Sequence, residues 1–348
     1  MTNRGDRWRP GHVRRERGRL RRSAARLLPF VAWPLVVLAT VTAMLRLTGA
    51  SGHAYLALAL GLLPVTMLPA YPIAVGAVLT RRRGLATAAA TLAVAHLVFM
   101  WPTISPADDV SSIARGAPTV RLLTFNIRGG AANPASIQRL IRRDHPDVVV
   151  LLELDPRTAT ALDKGGLVDV YPHRLVAPSH DVLGGTGLYS RFPIRDAAML
   201  PTVTGAMPGV TVVVGGTAVR IQSVHIAPPM GKLVGRWQAE HMALAKLARE
   251  RRQSLILAGD FNSGRQHPEW RRLLDAQLTD AHEARARGFV PTWPDDRMLF
   301  PAVLDLDHVL VSEGLVVLDI AERDGLGSDH KALLTNIAVV SPEVTAGR

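Results

Sequence analysis

The sequence predicts a membrane-attached protein whose soluble part is an α/β or α+β domain. Two observations predict this fold class. Three long apolar runs lie within the first 104 residues, and from Thr119 onward short β-branched runs alternate with Gly/Pro turns and amphipathic helical stretches. The chain has 348 residues and no cysteine, which excludes a disulfide-stapled fold and a Cys-ligated zinc site.

The formal net charge of +12 is typical of a nucleic-acid-binding protein, but its distribution argues against that class. Residues 1–26 contain ten Arg against two acidic residues, and residues 27–83 add four Arg with no acid. Residues 84–348 carry 27 basic and 27 acidic side chains and are therefore neutral. The excess charge belongs to the segment that also carries the apolar runs.

The apolar runs predict a membrane domain at residues 27–104. A helix of roughly 20 apolar residues spans the hydrocarbon layer, because lipid offers the backbone no other hydrogen-bond partner. We predict three transmembrane helices, at about residues 27–47, 55–79 and 85–103. Pro64, Pro69 and Pro72 are expected to kink the second helix.

Basic clusters flank these helices and predict their orientation. The tail at residues 1–26 and the arginines at 81–83 should both stay cytoplasmic, which requires two spans between them. A third span then places everything after about residue 105 outside. We therefore predict a multi-pass cell-membrane protein with a cytoplasmic N-terminus and an extracytoplasmic catalytic domain. If the third helix does not span, the domain is cytoplasmic.

A polar linker at residues 105–118 precedes the soluble domain, which we place at residues 119–340, with a short tail at 341–348. No internal repeat is visible. The expected strands lie at 120–126, 148–152, 187–190, 210–214, 218–225, 254–258 and 307–311, and the expected helices at 135–144, 233–252 and 269–275.

Polar side chains stand at the ends of several expected strands, where a plain core would not need them. They are Asn126, Glu153, Asp260, Asn262, Asp307, Asp329 and His330. Singly, each could be a turn residue or a helix cap. As a set they offer hard oxygen ligands suited to Mg²⁺, and histidine donors for a phosphate or a general base. The pattern predicts metal-assisted phosphoryl chemistry.

The ordered motifs FNIRGG, LLELD, GTGLYSRFPI, VHIAPP, LAGDFNS, LDLDHVLVS and GSDHKALL resemble those of the endonuclease/exonuclease/phosphatase superfamily. The resemblance covers residues 119–340 and identifies a membrane-anchored member with N-terminal transmembrane helices. It implies a four-layer α/β/β/α sandwich of the DNase I-like type that cleaves phosphoester bonds with Mg²⁺ or Mn²⁺.

The resemblance also implies roles for individual residues. Glu153 would be the principal metal ligand, with Asn126 beside it and Asp329 assisting the metal site. Asp260 would orient or activate the attacking water, and Asn262 would hold the scissile phosphate.

Two histidines complete the implied catalytic set. His225 would donate to the phosphate, and His330, oriented by Asp307, would contact the phosphate and stabilise its charge. The sequence departs from the family pattern at Arg128, where many nucleases carry a second acid, and at His308, where an aromatic residue is common. We interpret the glycines of residues 184–190 as structural.

These observations predict a membrane-anchored, divalent-metal-dependent phosphodiesterase or phosphatase. Its expected partners are the lipid bilayer, through the N-terminal helices, and a phosphoester: a lipid headgroup, nucleotide, sugar phosphate or nucleic acid. No obligate protein partner is evident. The alternatives are an exported-side nuclease, which the neutral soluble domain disfavours, and a non-catalytic membrane-bound interaction domain. Ser328, Asp329 and His330 are consecutive and cannot form a Ser/His/Asp relay.

Overall fold

The computed structural model describes residues 10–105, 114–181, 184–201, 206–295, 301–325 and 327–340. The predicted tail at 341–348, most of the predicted linker and the first nine residues lie outside this range. The chain divides into two compact units. One contains Met1–Met44 and Leu63–Val98, and the other contains Leu45–Leu62 and Phe99–Arg348.

Apolar helices dominate the N-terminal part of the chain. Its helices are α1 Pro10–Thr48, α2 Ala54–Gly61, α3 Leu63–Thr66, α4 Ala70–Leu79 and α5 Arg83–Ile104. Within the described residues, Leu27–Thr48 and Arg83–Ile104 are each long and apolar enough to cross a membrane.

The predicted second span is broken rather than only kinked. Ala54–Gly61 and Leu63–Leu79 could make a third span only if they count as one. Pro64 and Pro69 have no backbone N–H to continue a helix, which favours interruption at these positions. Inside the first unit, the Tyr71 hydroxyl lies 3.0 Å from His96 Nδ1.

The second unit carries the sheets and their flanking helices. Its strands are β1 Thr119–Asn126, β2 Val148–Leu152, β3 His173–Ala177, β4 Thr186–Ser190, β5 Arg195–Pro201, β6 Ala206–Val214, β7 Thr217–His225, β8 Ser254–Asp260, β9 Leu278–Asp280, β10 Asp307–Ser312, β11 Leu315–Arg323 and β12 Ala332–Val339. Its further helices are α6 Pro134–Asp144, α7 Pro156–Lys164, α8 Leu167–Val170, α9 Val234–Arg249, α10 Pro268–Leu274 and α11 Ala281–Ala284.

The described strands form two six-stranded sheets with the same arrangement of parallel and antiparallel pairs. Their orders are β11-β12-β1-β2-β4-β3 and β5-β6-β7-β8-β10-β9. Each sheet has a parallel pair at its centre, β1 with β2 and β7 with β8, and the pairings that flank these pairs are antiparallel. The carboxyl ends of two neighbouring strands therefore lie side by side in each sheet.

Alternating side chains build three apolar layers around the sheets. Leu122 and Val150 of one sheet and Ile221 and Ile256 of the other belong to the core cluster between the sheets. Their neighbours on the strands point outward: Leu123 and Val149 pack with α6 and α7, while Leu255 and Leu257 pack with α9 and α10. This is the expected four-layer α/β/β/α sandwich, and the prediction of fold class is confirmed.

Five strands were not expected from the sequence: β3, β5, β9, β11 and β12. Two of them contain a register shift, between Arg195 and Ala198 in β5 and between Val317 and Asp319 in β11. A shift of this kind breaks the period-two alternation by which strands are found in a sequence.

Candidate active site

Three of the predicted residues form one row across the second sheet. His225 ends β7, Asp260 ends β8 and Asp307 begins β10. In register, His225 pairs with Asp260, and Asp260 pairs with Asp307. Buried β-branched and aliphatic residues precede these positions in β7 and β8, so the polar side chains stand where the strands leave the core.

The first sheet brings two more predicted residues to the same place. Asn126 ends β1, and Glu153 directly follows β2 with a left-handed φ of 53°. The carboxamide nitrogen of Asn126 donates to Glu153 Oε1 and to Asp260 Oδ2, both at 3.1 Å. One buried amide therefore joins a carboxylate from each sheet. Glu153 Oε1 also lies 3.6 Å from His225 Nε2.

His330 is held behind this pair of carboxylates. Its Nδ1 lies 2.8 Å from Asp307 Oδ2, and its Nε2 lies 3.7 Å from Asp260 Oδ2. The preceding Ser328 fixes the loop, because its hydroxyl donates to the Asn126 carbonyl at 2.7 Å and accepts from the His330 backbone N–H at 3.1 Å. The Ser328 hydroxyl therefore attaches this loop to β1 by a hydrogen bond and does not serve as the nucleophile of a Ser/His/Asp relay.

Burial shifts the pKa values of both carboxylates, Glu153 and Asp260. Burial raises the pKa of Glu153, although the Asn126 hydrogen bond opposes that shift. Burial likewise raises the pKa of Asp260 to about 7, against the opposing charge of His330. Both carboxylates therefore carry a desolvation cost that a bound cation would reduce.

The two histidines have opposite electrostatic character. Burial lowers the pKa of His225 to about 4, so its imidazole is neutral at pH 7. Burial alone would also lower the pKa of His330, but the charges of Asp307 and Asp260 outweigh it and raise that pKa to about 10. The site thus combines a neutral and a protonated imidazole.

Asn262 lies at the turn after β8, with a left-handed φ of 47°. Its backbone N–H donates to Asp260 Oδ1 at 2.8 Å, and its carboxamide nitrogen donates to the Ile226 carbonyl at 2.8 Å. Glu153 and Asn262 are thus both non-glycine residues in a backbone region that such residues rarely adopt, a feature that recurs at functional sites.

Asp329 lies at the rim, in contact with residues to which the sequence assigned no role. Trp293 Nε1 donates to Asp329 Oδ2 at 3.1 Å, and Arg128 Nε lies 3.5 Å from the same oxygen. Arg128, where the sequence departs from the family pattern, therefore faces Asp329. Trp293 lies in a loop without a motif, and no signal in the sequence pointed to it.

The donor set suits a hard divalent cation. Carboxylate oxygens of Glu153 and Asp260 converge on one amide nitrogen, and Asp260, Asp307 and His330 offer ligand atoms within 4.8 Å of one another. Because His330 Nδ1 is taken by Asp307, carboxylate oxygens are better candidates for metal ligands than this histidine. In this geometry Asn126 turns its nitrogen toward the carboxylates, so its role as a ligand stays a prediction.

His308, the other departure from the family pattern, lies in a separate buried group. Its Nδ1 is 3.0 Å from Asp280 Oδ2, and its Nε2 is 3.1 Å from the Ser263 carbonyl. The ring packs on Phe261 and Trp270. Because both ring nitrogens have partners, we interpret this group as a support for the turn after β8 rather than a metal site.

The fold is that of the DNase I-like α/β sandwich proteins, with two sheets and flanking helices. A buried group of acids, an amide and histidines lies where central strands of both sheets end. A family model described as the endonuclease/exonuclease/phosphatase family matches residues 123–330. The chain belongs to this family, whose members are phosphoester hydrolases that use divalent metals. The predicted resemblance is confirmed.

Solved structures with the same fold have distant sequences. Danio rerio TDP2 in complex with a single-strand DNA product has a TM-score of 0.55 at 15% identity, covering 64% of this chain and 99% of that chain. Truncated Caenorhabditis elegans TDP2 has a TM-score of 0.52 at 17% identity, covering 64% and 98%. A functionally unknown conserved protein from Enterococcus faecalis has a TM-score of 0.50 at 16% identity, covering 63% and 99%. A comparison with curated proteins gives no significant match.

Proposed function

We propose that this protein is a membrane-anchored, divalent-metal-dependent phosphoester hydrolase whose catalytic domain faces the extracytoplasmic side. The observation that carries the proposal is the Asn126 amide, which joins the carboxylates of Glu153 and Asp260 beside His330, whose Nδ1 lies 2.8 Å from Asp307 Oδ2. Buried carboxylates carry a desolvation cost, and a bound cation would offset that cost.

Glu153, with Asn126 and Asp329, would hold Mg²⁺ or Mn²⁺. Such an ion, when bound, polarises a phosphoryl oxygen and stabilises the charge that develops on it. Asp260 takes the proton of the attacking water as the water oxygen bonds to phosphorus. The P–O bond to the leaving alcohol breaks, and the alcohol oxygen takes a proton from solvent. A pKa of about 7 suits Asp260 to its task, because a general base works best near the operating pH.

The remaining residues bind the phosphate and stabilise its charge. His330 keeps its proton through the hydrogen bond to Asp307 and presents positive charge to the phosphoryl oxygens. His225 is neutral and offers one N–H as a donor. Asn262 is fixed by Asp260 and Ile226, which places its carboxamide at the turn next to the general base.

Two features of the chain support the membrane anchor and its orientation. Leu27–Thr48 and Arg83–Ile104 have the length and apolarity of spans. The arginine-rich tail and the arginines at 81–83 favour a cytoplasmic side for both, which with a third span puts the catalytic domain outside.

The activity is tested on the full chain in a non-ionic detergent, with bis(p-nitrophenyl) phosphate, p-nitrophenyl phosphate and supercoiled plasmid as substrates. We expect Mg²⁺- or Mn²⁺-dependent hydrolysis of at least one p-nitrophenyl ester. Glu153→Gln and Asp260→Asn should each lower it by about 10²-fold or more. The exposed Glu250→Gln and Asp319→Asn are matched controls and should retain it. Full activity of either site variant would overturn the assignment, and plasmid nicking alone would favour the nuclease.

Metal binding is tested without turnover. Mg²⁺ that binds only the folded protein raises its unfolding free energy, by about 2.7 kcal/mol at a concentration 100 times the dissociation constant. We expect a rise in melting temperature on adding Mg²⁺ to the EDTA-treated protein, and none in Glu153→Gln. Equal rises in both proteins would remove Glu153 from the metal site.

A further inference from the structure

One wall of the candidate active site comes from the apolar segment at residues 45–62, which belongs to the same compact unit as the sheets. A cavity of about 670 Å³ is lined by Glu153, His225, Asp260 and His330. Its other lining residues include Tyr55 and Leu58 of α2 and Met230 of the loop after β7. The cavity thus joins the polar residues of the candidate active site to apolar side chains.

Helix α2 is bonded to the sandwich at several points. His267 Nε2 lies 2.9 Å from the Ala57 carbonyl, and the Ser51 hydroxyl donates to Glu269 Oε1 at 2.7 Å. Ala57 itself is 1% exposed and belongs to the core cluster that contains Trp237. These contacts make α2 part of the catalytic unit.

Two large apolar side chains by which α2 lines the cavity are exposed. Tyr55 is 85% exposed and Leu58 49% exposed, and Met230, another lining residue, is 65% exposed. Exposed apolar groups gathered at a cavity mark a binding surface. Among the described residues that line this cavity, Arg128 is the one Lys or Arg, whereas a site for a polyanionic substrate would need several.

The position of α2 in the chain supplies a source for an apolar ligand. Five residues separate the candidate span Leu27–Thr48 from α2, so the apolar wall lies within roughly 20 Å of the end of that span. A lipid that leaves most of its chain in the bilayer could therefore place its phosphoester at the polar residues of the cavity.

We propose that the substrate is a phosphoester of a long aliphatic chain, with the phosphate at Asp260 and His330 and the adjoining part of the chain against Tyr55, Leu58 and Met230. This inference rests on the proposed hydrolase function. It gives α2 a role in substrate specificity. The chemistry already described stays with the polar residues of the cavity.

The test compares butyl and dodecyl p-nitrophenyl phosphate diesters, and butyl and dodecyl phosphate monoesters, below their micelle-forming concentrations. The enzyme is the full chain in a fixed amount of non-ionic detergent. Each methylene buried against α2 should raise kcat/KM about fourfold. We expect the dodecyl ester to exceed the butyl ester by tenfold or more in at least one pair.

Leu58→Gln and, separately, Tyr55→Ser should bring this ratio to within about threefold of one. Both side chains are exposed, so folding should be retained, and an unchanged Mg²⁺-induced rise in melting temperature checks this. Met242→Gln changes a 52% exposed apolar side chain of α9 outside the cavity and should keep the wild-type ratio. Because detergent partitioning is the same for every variant, a difference between them reports on α2.

The outcomes separate the inference from the proposed function. Hydrolysis of neither ester in either pair by the wild-type protein would contradict the hydrolase itself. Equal hydrolysis of the butyl and dodecyl esters would leave the hydrolase standing and overturn the lipid inference. A high ratio that both α2 variants keep would also overturn it, and would mean that Tyr55 and Leu58 contact the bilayer only.

Discussion

His330 Nδ1 lies 2.8 Å from Asp307 Oδ2, and both side chains are buried. The two residues come from different parts of the site: Asp307 begins β10, and His330 lies in the loop that precedes β12. The Asp307 carboxylate fixes the ring orientation and, with Asp260, raises the pKa of His330. Asp307 is therefore a positioning residue, and its effect should be visible in the pH profile.

We expect Asp307→Asn to lower kcat/KM by about 10–100-fold. Loss of the negative charge should lower the pKa of His330, so the alkaline limb of the pH–rate profile should move to lower pH. The measurement is kcat/KM from pH 6 to pH 10 for the wild type and the variant, with the exposed Asp319→Asn as the control. A loss of activity with an unshifted alkaline limb would mean that Asp307 acts on packing alone.

Gly185 supports the backbone next to Glu153, and we expect Gly185→Ala to displace it. A β-carbon at Gly185 would overlap the Leu154 carbonyl oxygen, and the Gly185 φ of +84° is strained for alanine. Gly216 has nearly the same φ, +86°, with nothing near an added β-carbon. Gly216→Ala should therefore lose about 1–2 kcal/mol of unfolding free energy from the backbone alone.

Gly185→Ala should lose about 1–3 kcal/mol more than Gly216→Ala, because it adds the steric overlap, and it should also lose activity. Chemical denaturation of both variants gives the two free energies of unfolding. Equal losses in the two glycine variants would contradict the close approach at Leu154.

The group around His308 predicts a pH-dependent stability. Burial alone would lower the pKa of His308, but the charge of Asp305 and the hydrogen bond that the His308 ring donates to Asp280 outweigh it and raise that pKa to about 10. A histidine whose folded pKa lies above its unfolded value of about 6.5 stabilises the fold fully below that value. The contribution is lost as the pH rises from about 6.5 to about 10.

His308→Gln should therefore be destabilised by about 3–5 kcal/mol at pH 6, since it leaves buried carboxylates without their cation. The difference from the wild type should shrink steadily toward pH 10. Melting temperatures in EDTA, followed by tryptophan fluorescence, measure this without a contribution from bound metal. A difference that is the same at every pH would show that His308 is not charged in the folded protein.

The absence of cysteine from the sequence makes the proposed topology directly testable. Lys246→Cys places a single thiol at an exposed position of α9, and Gly84→Cys places one beside the arginines at 81–83 without removing any of them. In intact cells a membrane-impermeant maleimide should label the first variant and not the second. After permeabilisation it should label both. Protection of Lys246→Cys in intact cells would place the catalytic domain in the cytoplasm.

Much of the central architecture could be predicted from the sequence. Val148–Leu152 is an uninterrupted β-branched and aliphatic run, typical of a strand buried on both faces, and Glu153 follows it at once. The same pattern marked Ser254–Asp260. Strands with register shifts, such as Arg195–Pro201 and Leu315–Arg323, escaped prediction because a shift destroys the alternation on which the prediction depends.

The sequence by itself determined the family, the sandwich fold and the set of acids, amides and histidines at the strand ends. Local residue patterns and the order of the motifs are enough to specify each of these. Only the tertiary structure decided which partners these groups have: Asn126 between Glu153 and Asp260, Arg128 and Trp293 on Asp329, and α2 beside the cavity. The physical reason is that the hydrophobic effect favours removal of an apolar run from water but does not decide whether lipid or protein covers it. For Ala54–Gly61, tertiary packing shows that protein covers one side of the helix.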